Sequence, residues 1–259
     1  MYKKLYNPRH GRAKIAQLMS GSGTNVTKVI QQEKSMGNKC PYETVVIVTD
    51  DKRSNALEIA RKYKKPFVEF DIRDFQEARG LDRRLSLETA DHRIVRKEYT
   101  EKLAEVLYSF HTDFAVFGGF EPLTNITEEF ICLNVHPGDL TYLKDGKRYL
   151  VGLHTVPIKG AREEGIGYVR SSVILAMPYT GKGKDMDTGP LLGLGPKLYY
   201  EDETDDKKIQ KALKKVSDWK ILPAVVLAVG YGEIEVDYKK NEARNPVIMD
   251  LEYRISEVK

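Results

Sequence analysis

The chain has 259 residues, of which 41% are hydrophobic and 31% are charged, which is the composition of an ordinary globular protein with a sizeable core. The net charge of +4, from 42 basic and 38 acidic residues, is too small to indicate a nucleic-acid-binding protein. No apolar run approaches the length of a membrane span, and residues 1–12 lack the apolar centre of a secretory signal. The two cysteines, Cys40 and Cys132, form no CxxC pattern. We therefore expect free thiols, no membrane association and a cytoplasmic location.

Strands and helices alternate along the first half of the chain. The sequence pattern predicts strands over residues 13–19, 44–49, 67–70 and 113–117, and helices that end near residue 36 or span 55–63 and 91–108. This alternation predicts an α/β fold with a mostly parallel, Rossmann-like sheet flanked by helices. Residues 72–90 are highly charged and contain Gly80, so we interpret them as an insertion or a mobile loop.

The second half continues the pattern less regularly. Strands are predicted over residues 131–135, 168–177 and 191–199, and helices near 156–163 and from about 205 to 229, with a bend at Pro223. The remainder suggests a short strand and a C-terminal extension. We find no repeat and no low-complexity linker. We therefore predict a single domain over residues 1–259, with a core over about 13–236 and tails at 1–12 and 237–259.

A glycine-rich turn joins the first predicted strand to the first predicted helix. Its sequence is Ser20-Gly21-Ser22-Gly23-Thr24-Asn25. A strand, a glycine turn and a helix N-terminus form a natural anion site, because free backbone N–H groups and the helix dipole point at the ligand. The pattern is not GxGxxG, since Val26 stands where the third glycine would be, so a dinucleotide is not the default ligand. We expect Thr24 or Asn25 to cap the helix. The alternative is a tight turn without a ligand.

Two polar residues end a predicted buried strand in the sequence Asn134-Val135-His136-Pro137. Side chains at i and i+2 of a strand face the same way, so Asn134 and His136 project together. An amide donor beside an imidazole can stabilise an oxyanion and move a proton. The alternative is a strand end with a satisfied polar pair. Further along, the glycine-rich, charged stretch 181–190 lies between predicted strands and is interpreted as a mobile active-site loop.

Several stretches occur in an order and a spacing that are specific only in combination. They are Ser20-Gly21-Ser22-Gly23-Thr24-Asn25, which looks like a phosphate loop; Phe117-Gly118-Gly119-Phe120, which looks like the strand end before a folate loop; Asn134-Val135-His136-Pro137, which looks like a catalytic N-x-H-P; Gly152-Leu153-His154-Thr155; and Asp187-Thr188-Gly189-Pro190, which looks like a D-x-G-P motif. Over roughly residues 13–236 the chain thereby resembles the folate-dependent formyltransferases, most closely the phosphoribosylglycinamide formyltransferases of purine synthesis.

The resemblance implies a formyltransferase fold and an enzyme. The reaction would transfer a formyl group from 10-formyltetrahydrofolate, as co-substrate, to the amine of glycinamide ribonucleotide or a related phosphorylated amine. The implied catalytic residues are Asn134, His136 and Asp187. The implied substrate-binding residues are Gly21, Ser22, Gly23, Thr24, Asn25 and Asp218. The implied cofactor-binding residues are Arg96, Phe120, Glu121, Pro122, Leu123 and Thr124.

The chemistry of formyl transfer suits the three implied catalytic residues. Asn134 and a protonated His136 would stabilise the oxyanion that develops during the transfer. Asp187 would favour the charged imidazole and help carry the proton from the amine to the departing folate nitrogen. The acidic and histidine residues lack a compact ligand spacing, so we predict no metal site.

The chain also departs from the family pattern. The segment after Pro137 is Gly138-Asp139-Leu140-Thr141-Tyr142-Leu143 and leads into a charged insertion, Glu121-Pro122 stands in the folate loop, and Ser217-Asp218-Trp219 stands where the family has a Glu-His pair. These departures leave the amine substrate less defined than the reaction. The insertions 72–90 and 144–150 and the tail 237–259 could be lids, interfaces or additions without a role.

Two alternatives to the transferase are kept. Formyltetrahydrofolate deformylases share the Asn, His and Asp and give the formyl group to water, but they normally carry an N-terminal regulatory domain, and the residues before Ala13 are too few to form one. The other alternative is a non-catalytic module that binds folate or a nucleotide. Partners are expected to be small molecules, and a homodimer is left open.

Overall fold

The computed structural model describes residues 1–181, 183 and 186–258. Lys182, Lys184 and Asp185, which belong to the loop interpreted from the sequence as mobile, lie outside the described residues. The chain divides into two units. We call Pro8–Leu133 with Ala176–Met186 the N-terminal unit, and Met1–Asn7 with Asn134–Leu175 and Asp187–Lys259 the C-terminal unit. The single domain expected from the sequence stays a prediction.

Short and long strands alternate with helices through both units. The strands are β1 (Lys3–Lys4), β2 (Ala13–Met19), β3 (Tyr42–Thr49), β4 (Phe67–Glu69), β5 (Phe114–Phe117), β6 (Ile131–His136), β7 (Leu143–Lys144), β8 (Lys147–Arg148), β9 (Tyr168–Leu175), β10 (Leu191–Tyr199), β11 (Glu235–Asp237), β12 (Glu242–Arg244), β13 (Val247–Ile248) and β14 (Glu252–Arg254). The α-helices are α1 (Thr24–Met36), α2 (Ala56–Tyr63), α3 (Ile72–Glu77), α4 (Ala90–Ser109), α5 (Val156–Glu163), α6 (Asp206–Leu213) and α7 (Trp219–Gly230).

The N-terminal unit is a parallel sheet covered by helices. Its strands run in the order β4-β3-β2-β5, and every pairing between these neighbours is parallel. The middle of β3, residues 45–48, is apolar because its alternate side chains pack into two different clusters. Val46 and Val48 join a cluster with Leu103 of α4, whereas Ile47 joins a second cluster with Ile30 of α1. Because helices cover both faces of the sheet, the side chains on both faces of β3 are buried, as is typical of a parallel sheet.

The charged segment 72–90 begins with a helix. Asp71 caps α3 by accepting a hydrogen bond from the backbone N–H of Arg73 at 2.8 Å. Arg83 then reaches back to pair with Asp71 at 3.5 Å and with Glu77 at 2.5 Å. The sequence interpretation as an insertion or a mobile loop missed this helix, because its apolar positions are few among charged residues.

The two segments predicted to be tails, 1–12 and 237–259, both contribute strands to the C-terminal unit. β10 pairs antiparallel with β9 and parallel with β13 and β14, which come from the segment after residue 237. β11 lies between β1 and β12 in a three-stranded antiparallel sheet. The segment 237–259 therefore completes two sheets of this unit, and residues 3–4 complete one.

The helix predicted over 205–229 is helical throughout residues 206–230 and contains a π-helical turn before Pro223. α6 passes into a π-helical turn, Lys214–Asp218, and α7 then contains Pro223. Such turns are rare and often lie at functional sites.

Among the described residues, no helix combines the length and hydropathy needed to cross a membrane. Cys40 and Cys132 are buried free thiols, which confirms that expectation. The predicted α/β class, with a mostly parallel sheet and flanking helices, is also confirmed.

Candidate active site

The three implied catalytic side chains meet in the C-terminal unit. Asn134 and His136 lie at the end of β6, two residues apart, and so face the same way. Asp187 Oδ2 lies 3.3 Å from His136 Nδ1, and Asp187 Oδ1 lies 3.5 Å from Asn134 Nδ2. His136 is only 2% exposed. The structure thus brings these residues together, and their catalytic role stays a prediction.

Both ring nitrogens of His136 face acceptors. Nε2 lies 2.6 Å from the carbonyl oxygen of Leu150, and Nδ1 faces the Asp187 carboxylate. A carbonyl oxygen only accepts, so Nε2 carries a proton. The ring therefore lies between a backbone carbonyl and a side-chain carboxylate.

Gly138 makes room for the contact between His136 and Leu150. A Cβ atom at this position would lie 2.8 Å from His136 Nε2 and 2.9 Å from Pro157 Cβ, and closer still to the Leu150 carbonyl oxygen. The turn is also tied to β9, because Ser172 Oγ donates to the Gly138 carbonyl at 2.8 Å. Sequence reasoning noted Gly138 only as a departure from the family, and Leu150 and Ser172 were missed because neither residue type signals such a contact.

The glycine-rich turn lies in the N-terminal unit and leads into α1. Gly23 occupies the N-cap position at φ +64°, with no side-chain cap and no acidic residue in the first turn. The prediction that Thr24 or Asn25 caps the helix is wrong, because α1 already includes both residues. The positive φ of Gly23 favours glycine, and a Cβ there would also displace the ends of the Ile59 and Met19 side chains.

The remaining residues of the implied phosphate loop differ in exposure. Gly21 and Ser22 are exposed, Thr24 is half-buried, and Asn25 is buried at 6% exposure. The uncapped N–H groups of the first turn are donors suited to an anion. The turn therefore has the backbone donors at a helix N-terminus that the sequence predicted, while its role in binding phosphate stays a prediction.

A buried carboxylate links this turn to the implied folate stretch within the same unit. Ser20 Oγ donates to Asp50 Oδ1 and accepts the backbone N–H of Glu121 at 2.8 Å. Asp50 is fully buried, and Arg73 Nη1 lies 3.3 Å from its Oδ2. Burial raises the pKa of Asp50 to about 6, although Ser20 and Arg73 both favour the ionised form. Sequence reasoning missed Asp50; the available signal was an acid directly after a buried strand.

Arg96 meets the implied folate stretch from α4. Its guanidinium donates through Nη1 to the Leu123 carbonyl and through Nη2 to the Leu85 carbonyl at 3.3 Å. The side chain is 1% exposed, and its Nε has no partner among the described residues. Burial lowers the pKa of Arg96. A buried guanidinium with an unused donor fits an acceptor atom on a ligand, so these residues fit the folate that the resemblance implies.

The other members of the folate stretch lie in the same unit. Phe120, Glu121 and Leu123 are half-buried, whereas Pro122 and Thr124 are buried. Thr124 caps the 3₁₀ turn Asn125–Glu128 and lies 2.8 Å from the Thr100 hydroxyl. The structure therefore fixes the end of this stretch to α4.

Asp218, the last implied substrate residue, lies in the π-helical turn of the C-terminal unit. It is 4% exposed, and its carboxylate accepts a hydrogen bond from the Ser171 hydroxyl. Its predicted role in binding the amine stays a prediction. Among the described residues, no group of three His, Cys, Asp or Glu side chains is arranged to hold a metal ion.

The architecture is that of the α/β formyltransferase fold. Solved phosphoribosylglycinamide formyltransferases share it across most of the chain. The enzyme from Anaplasma phagocytophilum is 16% identical with a TM-score of 0.67, over 94% of this chain and 98% of that one. The enzyme from Coxiella burnetii is 17% identical with a TM-score of 0.68, over 90% and 92%.

A second class of enzyme has a similar fold. A formyltetrahydrofolate deformylase from Pseudomonas syringae is 10% identical with a TM-score of 0.67, over 90% of this chain and 65% of that one. No family model and no curated protein matches the sequence. At these identities the structural likeness establishes the fold, and the residues of the site must carry any argument about function.

We expect Asp50→Asn to change how stability depends on pH. Because burial raises the folded-state pKa from 3.8 to about 6, protonated Asp50 favours the fold, and that contribution is lost as pH rises from about 4 to about 6. Each pKa unit corresponds to about 1.4 kcal/mol, so the loss is about 3 kcal/mol. Urea unfolding at pH 4, 5, 6 and 7 gives the free energy of unfolding of both proteins. Between pH 4 and pH 7 the value for the variant should rise relative to that of the wild type by this amount. Parallel pH profiles would contradict the burial argument.

We expect Gly138→Ala to destabilise the C-terminal unit and to disturb His136. The added methyl group would press on the Leu150 carbonyl, and overpacking typically costs about 1–3 kcal/mol. Gly160→Ala, inside α5, is the matched control, because a Cβ there would make ordinary contacts with Leu150 Cδ2 at 3.4 Å and Tyr149 Cε1 at 3.6 Å. Thermal unfolding of both variants checks this prediction. Equal melting temperatures for Gly138→Ala and Gly160→Ala would show that the turn at residue 138 accommodates the added methyl group.

Proposed function

We propose that the protein transfers a formyl group from 10-formyltetrahydrofolate to the amine of glycinamide ribonucleotide or a related phosphorylated amine. The observation that carries the proposal is the contact between Asp187 and both Asn134 and His136, at the end of a strand in a formyltransferase fold. An amide, an imidazole and a carboxylate within hydrogen-bonding reach are a set that suits acyl transfer to an amine.

Each residue of the set has a chemical role in this proposal. The Asn134 amide donates a hydrogen bond to the oxyanion that develops as the amine attacks the formyl carbon, and a protonated His136 beside it stabilises that negative charge electrostatically. The Asp187 carboxylate holds the imidazolium in place and accepts the proton that the amine loses, directly or through water. The proton then passes to the departing nitrogen, and no metal ion takes part.

Two sets of residues in the N-terminal unit would each bind one part of the substrates. The uncapped first turn of α1, with Gly21 to Asn25, would bind the phosphate of the amine substrate. Arg96 and the stretch 120–124 would bind the folate, because the Nε donor of the guanidinium has no partner among the described residues. Asp218 would contact the amine substrate.

The two buried free cysteines are in keeping with a cytoplasmic location.

Hydrolysis of the formyl donor is the second candidate, and its specific support is the similar fold of the Pseudomonas syringae deformylase. A hydrolase would use the same three residues with water in place of the amine. The two candidates differ in one observable: whether the donor loses its formyl group when no amine is present.

A turnover assay tests the proposal directly. The purified protein receives a 10-formyl folate analogue with and without glycinamide ribonucleotide, and release of the deformylated folate is followed by absorbance. We expect release only with the amine. Release without it would support the deformylase, and folate binding without any release would point to another acceptor or to a non-catalytic module.

His136→Ala is the matched variant for this assay. We expect it to lower kcat by at least about 100-fold, since general acid–base groups typically contribute 100- to 10,000-fold, while binding of the folate analogue persists. His10→Ala, at an exposed position in the turn Pro8–His10, should keep wild-type turnover. Wild-type turnover in His136→Ala would remove this residue from the mechanism.

Asn25→Ala tests the phosphate loop separately. If this turn binds the phosphate in the ground state and the transition state alike, the variant raises KM for the phosphorylated amine and leaves kcat and the KM for folate near wild type. Asn38→Ala, an exposed asparagine just beyond the other end of α1, is the control. An unchanged KM for the amine would place the phosphate elsewhere.

A further inference from the structure

The charged insertion after residue 143 forms a hairpin that reaches the loop of Asp187. β7 and β8 pair antiparallel, and the two residues between them, Asp145 and Gly146, both have positive φ, as a tight hairpin requires. Arg148 in β8 donates through one nitrogen, Nη1, to the carbonyl oxygens of Asp187 at 2.5 Å and Gly189 at 2.9 Å. The hairpin therefore holds the backbone on both sides of residue 188.

The C-terminal segment holds the residue between them. Asn241 lies in the turn that joins β11 to β12, at φ +55°. Its Nδ2 donates to the carbonyl oxygen of Thr188 at 2.7 Å. Three consecutive carbonyls of the Asp187 loop are thus bonded by side chains from two segments that are distant in sequence, and all these residues belong to the C-terminal unit.

The Asp187 backbone needs such support. Its φ of +60° lies in the left-handed region, which residues other than glycine seldom adopt and which persists where the surroundings enforce it. The carboxylate position follows from the backbone, because aspartate has only two side-chain torsions. A change in the loop would therefore move Oδ2 away from His136 Nδ1.

The residues just after this hairpin provide the second contact of His136. Leu150, two residues beyond Arg148, provides the carbonyl that accepts from Nε2. Residues 148–150 thus contact the loop of the carboxylate through a side chain and contact the imidazole through a backbone oxygen. Both components of the His136–Asp187 pair depend on this one short segment.

We propose that Arg148 and Asn241 are positioning residues that hold Asp187 in its contact with His136, so that the insertion 144–150 and the segment 237–259 serve catalysis. The role rests on the proposed formyl transfer. Arg148 and Asn241 act through the loop backbone. Their loss lowers kcat and leaves both KM values close to wild type, because the substrates are bound by other residues.

The test uses two variants and two matched controls in the full chain. Arg148→Met removes the guanidinium, and Lys147→Met removes one charge from an exposed neighbour on the same hairpin. Asn241→Gly removes the amide while keeping a residue that readily adopts positive φ. Asn245→Gly is the same change at another asparagine of positive φ, whose side chain donates to the Glu233 carbonyl and not to the loop.

Steady-state kinetics with the folate analogue and the amine give the first measurement. We expect kcat to fall about 10- to 100-fold in Arg148→Met and Asn241→Gly, because small displacements of a catalytic group can cost about 100-fold. KM should change less than about threefold, and Arg148→Lys should recover part of kcat. In an Asp187→Asn background, Arg148→Met should have little further effect, since the group that it positions is already lost.

Hydrogen exchange of the backbone amides of residues 186–189 gives a second measurement that does not need turnover. We expect faster exchange in the two variants and wild-type exchange in the two controls. If the wild type exchanges slowly but has no transferase activity, the formyl-transfer proposal fails and the proposed catalytic role fails with it. If the wild type is active and the variants match their controls in kcat, the positioning role alone is overturned.

Discussion

The contact between His136 and Asp187 is the interaction on which the rest of the site depends. His136 is 2% exposed, and its two ring nitrogens face the Leu150 carbonyl and the Asp187 carboxylate, so neither buried nitrogen lacks a polar neighbour. One partner comes from residue 150 and the other from residue 187, so two separate segments must be held in place at once. Gly138, which permits the close approach of the Leu150 carbonyl, shows how little space that arrangement leaves.

The buried charges of the N-terminal unit are compensated in different ways. Asp50 has Ser20 and Arg73 as partners, yet burial still raises its pKa, and through Ser20 it is connected to the backbone N–H of Glu121. Arg96 is bonded to two carbonyls, and one of its donors is unused among the described residues. Because a carbonyl dipole compensates less charge than a carboxylate, Arg96 is the group whose environment a polar ligand would complete.

The sequence predicted what depends on local periodicity and missed what depends on single long-range contacts. The run Thr44 to Thr49 has the composition of a strand buried on both faces, and β3 is that strand. The spacing of Asn134 and His136 predicted a shared direction from strand geometry alone. Asp187, 53 residues from Asn134, could be joined to them only through the resemblance to a family, because no local pattern links such distant positions.

The contacts of Arg148 and Asn241 had no sequence signal at all. β8, which contains Arg148, and β12, which follows Asn241, are two and three residues long and too short for an alternating pattern. A hydrogen bond to a backbone carbonyl also places no requirement on the type of residue that accepts it. A backbone carbonyl accepts from any well-placed donor. The residues that support a catalytic loop can therefore change between related proteins, while an amide, an imidazole and a carboxylate at the reacting centre cannot be exchanged so freely.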